Sequence, residues 1–112
     1  MNILAYSGAT HLEVTTKDGK NHRGSAPEIA SEADSGYGEP CLSMTAQNGV
    51  TDFPQSSIRV IRVLEMPEID PAARETELRS LGWTEDLIAE AIAVYHLAVR
   101  RNNVRPTTDW RI

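Results

Sequence analysis

Three histidines, one cysteine and a scatter of carboxylates are the residues of this 112-residue chain that could do chemistry. A metal site needs His, Cys or carboxylate ligands at short, recurring spacings. His11, His22 and His96 lie far apart and have no partner in an HxxxH, HxxE or CxxH pattern. No metal site and no cofactor is therefore expected. Nucleophilic catalysis needs an activated side chain beside a base. Cys41 sits in no such signature, and a lone free cysteine reads as a small buried hydrophobe. Gly36-x-Gly38 lies among acidic residues that would repel a phosphate. Glu85-Asp86 are paired carboxylates, but they open a helix and complement its dipole. No catalytic residue is assigned, and the chain reads as a non-enzymatic protein.

What remains is charge at particular places. Sixteen Asp and Glu against eleven Lys and Arg give a net charge of −5. That balance disfavours nucleic acid, RNA included, because such affinity comes mainly from Lys and Arg. It suits a protein partner with a basic surface, or solubility alone. Acid gathers in Pro27 to Pro40, read as a long loop with a helical turn near Glu28. Glu28, Glu32, Asp34 and Glu39 are its carboxylates. They form either a solvated loop or a docking surface for a basic protein. Lys17, Lys20, Arg23, Arg59 and Arg62 lie in the strand region and make the one plausible nucleic-acid patch. No aromatic residue interleaves them, so base stacking is not indicated.

The elements that must position these residues divide near Met66-Pro67. Leu12, Val14 and Thr16 alternate with Glu13, Thr15 and Lys17, which predicts a half-buried strand. Asp18-Gly19 predicts a type I′ hairpin turn, and Lys20 to Ala26 the returning strand. Asn2 to Tyr6 reads as a short strand or a loose arm. His22 is expected at an exposed strand position, and His96, on a helix next to Tyr95, at the boundary between its buried and exposed faces. Cys41 to Ala46 and Val50 to Phe53 form a second hairpin about Asn48-Gly49. Ile58 to Leu64 is apolar on both faces, which predicts cover on both sides. The C-terminal segment supplies it. Asp70-Pro71 starts one helix and Gly82 ends it. Thr84 caps a second helix, with Leu87, Ile88, Ala91, Ile92, Tyr95 and Val99 as its stripe. Trp83 at the bend reads as buried. Asn102-Asn103 ends this helix, and residues from Val104 onward form a tail pinned by Trp110. No run is long and apolar enough to cross a bilayer, and the first residues lack the charged start of a signal peptide. A soluble, cytoplasmic protein with no membrane partner is the expectation.

The strand region resembles the Sm-like (LSm) small β-barrel, an SH3-like fold. The residues that carry the resemblance are Val14 to Lys20, Gly24, and the stretch FPQSSIRVIRVL from Phe53 to Leu64. The stretch DSGYGEP is similar to small Sm-like proteins of bacterial mobile elements and phages. RNA-binding members carry Asp and Asn after the second strand, and Arg-Gly or Lys-Gly before the last. Here those places hold Ser25-Ala26-Pro27-Glu28 and Gln55-Ser56-Ser57, so the uridine pocket does not carry over. The expected architecture is α+β: an antiparallel SH3/Sm-like barrel over 1–66, then a helical hairpin and tail over 67–112 packed on it. The expected function is protein binding, for instance an adaptor or an anti-CRISPR-like inhibitor that blocks a host nucleic-acid-handling enzyme. The alternative is an Sm-like RNA chaperone that forms a homo-oligomeric ring.

Overall fold

The first hairpin shows how local chemistry sets the chain path. In the computed structural model, which describes residues 2–106, β1 (His11–Thr16) returns as β2 (Asn21–Ala30). The Gly19 N–H donates to the Thr16 carbonyl, and the Thr16 N–H donates to the Lys20 carbonyl. Only Gly19 has positive φ in this turn (86°). The turn is therefore a glycine-bulge turn rather than the expected type I′, in which both central residues would need φ > 0. The Asp18 carboxylate accepts hydrogen bonds from the Thr16 hydroxyl and the Lys20 N–H, and these hold its pKa below the usual carboxylate value.

β2 runs four residues past its expected end and takes Glu28 into the strand, where a loop with a helical turn was expected. A bulge carries the strand over Ala26-Pro27. β3 (Cys41–Ala46) pairs with Ser25 through Thr45 and with Glu28 through Ser43, so β2 holds one extra residue. Ala26 absorbs it in a left-handed backbone (φ 49°), and Pro27 occupies a place where a ladder donor is not required. The sheet bends here, beside Gly24. A Cβ on Gly24 would lie 2.8 Å from Met44 Cβ and 2.9 Å from the Thr45 carbonyl oxygen. Only a residue without a Cβ lets β2 and β3 approach this closely.

β4 (Gly49–Pro54) pairs back on β3, and a 3-10 turn (Gln55–Ser57) leads into β5 (Ile58–Pro67). The sheet order is β4-β3-β2-β1-β5-β6, where β6 (Val104–Arg105) is parallel to the end of β5 and all other pairs are antiparallel. The sheet is bent but not closed.

The two-sided look of β5 has a different origin from the one expected. Its register against β1 slips twice, at Arg59 and at Leu64. Each slip reverses the alternation, so Ile58, Ile61, Val63 and Met66 all reach one core while Val60 stays half exposed on the outer face. Ile61 and Val63 oppose Val14 and Leu12 across the ladder and share their face. On that same face they meet Val94 and Ala98 of α2 (Glu85–Arg100). The helix thus covers the core side of the sheet, and the outer side remains open.

α1 (Pro71–Ser80) begins where the Asp70 carboxylate accepts the Ala72 N–H, with Pro71 at its first position. It ends in a Schellman motif: the Gly82 N–H reaches the Arg79 carbonyl and the Trp83 N–H reaches the Leu78 carbonyl. Trp83 itself is half-buried. Thr84 caps α2 through the Leu87 N–H. Asn102 (φ 59°) closes it with the same bonding pattern, Asn102 to Val99 and Asn103 to Ala98. Tyr95 and Ala98 join the sheet core, whereas Val99 is exposed. The segment read as a tail instead enters the sheet: the Met66 N–H donates to the Asn103 carbonyl and the Glu68 N–H to the Arg105 carbonyl. Trp110 lies outside the described residues. The N-terminal arm is a 3-10 turn (Ile3–Tyr6), capped by Asn2, that buries Ile3 completely.

Gly24→Ala is expected to lower stability by about 1–3 kcal/mol, the cost of forcing a group into a packed contact. Chemical denaturation should show it as a lower midpoint at constant slope; an unchanged midpoint would mean that β2 and β3 do not approach as described.

Candidate functional site

The outer face of β2, β3 and β4 brings together residues from three parts of the sequence. Glu28 opposes Ser43, and Ser43 opposes Asp52, so the three lie in one row across the strands. Asp52 accepts hydrogen bonds from the Ser43 hydroxyl (2.6 Å) and the Tyr37 hydroxyl (3.3 Å). The Asp52 charge, with a smaller effect of burial, pushes the Tyr37 phenol above its ordinary pKa. The next row pairs Thr45 with Val50. Val50 is 70% exposed and Tyr37 50% exposed. Two carboxylates thus share a face with two exposed apolar groups: Val50 and Asp52 lie on β4, the strand that ends the sheet, Glu28 on β2 and Tyr37 in the loop between β2 and β3.

The four acidic candidates do not form one loop surface. Glu28 belongs to the strand row just described. Glu32 and Asp34 are exposed in the loop that follows, where Asp34 accepts a hydrogen bond from the Ser31 hydroxyl. Glu39 is already engaged and is not free for a partner. Its two carboxylate oxygens accept the Ser56 N–H (2.5 Å) and the Ser56 hydroxyl (2.9 Å). They fasten the loop to the 3-10 turn before β5. The loop also bonds within itself, Ser35 Oγ donating to the Glu39 carbonyl and accepting the Tyr37 N–H. Tyr37, Val50 and Asp52 were not singled out in the sequence. Cross-strand register places Val50 and Asp52, and the loop fastened by Glu39 on Ser56 brings Tyr37 to Asp52.

The basic candidates are also divided. Arg23 and Arg62 flank Glu13 in one row, at 2.7 and 2.9 Å from its carboxylate oxygens. The Glu13 side chain is only 13% exposed, so both guanidiniums are directed at a fixed anion. Lys17 and Lys20 flank the β1–β2 turn, and Arg59 sits at the first bulge of β5, where the Lys17 N–H meets the Ser57 carbonyl. The expected nucleic-acid face is therefore part-neutralised at its centre.

His22 is half-buried against Phe53, with ring centroids 5.0 Å apart, rather than exposed. His11 meets the Thr10 hydroxyl at 3.1 Å, and His96 is exposed beside Tyr95. Cys41 is buried, and that burial pushes its thiol pKa up, which keeps it in the unreactive form. Among the described residues no three His, Cys, Asp or Glu side chains converge as a metal site, and no helix is long and apolar enough to cross a membrane. No protein-family model, curated protein or solved structure matches the chain.

Glu39→Ala, which removes two hydrogen bonds to a charged acceptor and unfastens the loop from Ser56, is expected to cost about 1–2 kcal/mol of stability. Asp34→Ala, on an exposed local turn, is expected to stay within about 0.5 kcal/mol. Urea midpoints of the two variants test the contrast, and equal midpoints would deny Glu39 its fastening role.

Proposed function

We propose that this chain is a non-enzymatic protein-binding module that engages a basic partner through the outer face of β2, β3 and β4. The observation that carries the reading is the row Glu28–Ser43–Asp52 beside loop residue Tyr37 and the exposed Val50 of the terminal strand. Adjacent strands lie about 4.8 Å apart, so the two carboxylates stand roughly 10 Å apart. That spacing accepts two Lys or Arg side chains, while Val50 and Tyr37 supply the apolar contact that charge alone lacks. The bent strand order β4-β3-β2-β1-β5, with a 3-10 turn before β5, supports kinship with the small SH3/Sm-like barrels of phages and mobile elements. In that setting the partner is a cytoplasmic host nucleic-acid-handling enzyme, whose basic groove the acidic face blocks in the manner of an anti-CRISPR inhibitor.

The free outer edge of β4 favours a second reading, an Sm-like RNA-binding ring joined through strand edges. Two features weigh against it. The end of β5 already carries β6, and Glu13 compensates two of the five basic residues.

A pull-down from bacterial lysate with the wild-type chain should recover a basic protein that elutes as salt rises from 0.05 to 0.5 M. The double variant Glu28→Lys/Asp52→Lys should weaken recovery roughly tenfold or more, because like charges now face each other across the interface. Lys17→Glu/Lys20→Glu should leave it intact. No recovery, or recovery indifferent to both reversals, would overturn the reading. A hexameric or heptameric mass by light scattering with retained uridine-rich RNA would install the ring instead.

A further inference from the structure

A cavity of about 280 Å³ opens where the N-terminal 3-10 turn, the end of β5 and the two helices meet. Small residues leave it unfilled: Ala5 on the turn, Gly8 just after it, and Ala91 on α2. Met66, Ile69 and Tyr95 provide its apolar walls. The Tyr95 hydroxyl is not available to a ligand, since it accepts the Ile69 N–H and donates to the Ile69 carbonyl, both at 3.2 Å. The volume lies near the lower end of the range for small-molecule pockets, about 300–1,000 Å³.

One cation faces this space. Arg74 reaches in from α1, and its Nη1 bonds to Glu77. Its Nη2 stands at the Gly8 wall, 4.0 Å from where a Cβ on that glycine would lie. No other hydrogen bond joins the guanidinium to the described residues. The Nε/Nη2 edge is therefore unpaired among the described residues, and that edge is a fork that fits a carboxylate with two parallel bonds. Ser7 on the rim adds a hydroxyl donor.

We propose that this cavity binds a small organic monocarboxylate, its carboxylate on the free edge of Arg74 and its apolar body between Met66, Ile69 and Tyr95. A phosphate, with more charge and more acceptors, would leave most of its oxygens without a donor here. A neutral apolar molecule would leave the guanidinium edge unused. Occupancy has a structural consequence. α1 buries one residue, Leu78, and packs chiefly on α2. A ligand held by Arg74 against the end of β5 would tie α1 to the sheet directly. The site shares no residue with the row of Glu28 and Asp52, so it stands or falls apart from the protein-docking reading.

The test is a backbone-amide NMR titration of the whole chain with butyrate, benzoate and phenylacetate, each beside its neutral amide, and with inorganic phosphate. At least one acid should give saturable shifts centred on Ser7, Gly8, Ile69 and Arg74. Its amide should bind roughly tenfold more weakly, the loss of a charged bidentate pair. Arg74→Gln should lower the acid to the affinity of its amide. Glu77→Gln should tighten the acid severalfold, because it releases the competing carboxylate. Ala91→Leu should abolish binding by filling the space. Glu77→Gln changes only an exposed side chain, so it keeps the test decisive if Arg74→Gln does not fold. Absence of saturable binding by all three acids, equal binding of acid and amide, tighter binding of phosphate, or shifts centred elsewhere would each overturn the proposal.

Discussion

β1, β3 and β5 each turn an apolar face to one side, and an open sheet cannot hide those faces by itself. This single requirement organises the molecule. Leu12, Val14, Leu42, Met44, Ile61 and Val63 turn inward, and the bend at Ala26-Pro27 curls the sheet around them. The remaining gap is filled by Ile3 from the N-terminal turn and by Tyr95 and Ala98 from α2. Full burial of an Ile or Leu side chain contributes roughly 1.5–3 kcal/mol. Ile3 and α2 are therefore part of the core and not attachments to it. The strand region and the helical region, separable by composition, share one interior.

Because the helices cover the inner side, the outer side of the sheet is left to solvent. Its charges are arranged and not scattered. At one end Glu13 holds Arg23 and Arg62 in a three-strand row. Beyond the bend, Glu28 and Asp52 form a second row with no cation in it. The bend separates a compensated region from an acidic one. Exposed ion pairs contribute little to stability, usually under about 1 kcal/mol. Their larger effect is to fix which charges the outer face presents.

The outer residues of β4 and of the loop before β3 sit where the fold needs least from them. β4 is a terminal strand whose Val50, Thr51 and Asp52 are all exposed, with Phe53 as its core anchor. The loop of residues 31–40 is fixed by Glu39 on Ser56, which holds Tyr37 over Asp52. The thiol of Cys41 lies just beneath, buried and held in its protonated form.

Local chemistry was legible in the residues alone. The Asp70-Pro71 start, the Gly82 stop, the Thr84 cap and the turn at Gly19 all depend on neighbours within a few positions, and the sequence determines them. Gly24 was also marked, although its reason, the approach of Met44, came only with the fold. The tertiary structure decided the rest. The slips at Arg59 and Leu64 turned an apparently two-faced strand into a one-faced one, and a left-handed Ala26 extended β2 through Glu28. Ladder register aligned Glu28 with Asp52 through Ser43, while hydrogen bonds from the loop engaged Glu39 on Ser56 and set Tyr37 on Asp52. A cap or turn is satisfied by the next few residues. A bulge is fixed by the strand across from it, which lies anywhere in the chain, and one residue of slip exchanges every side chain between core and solvent.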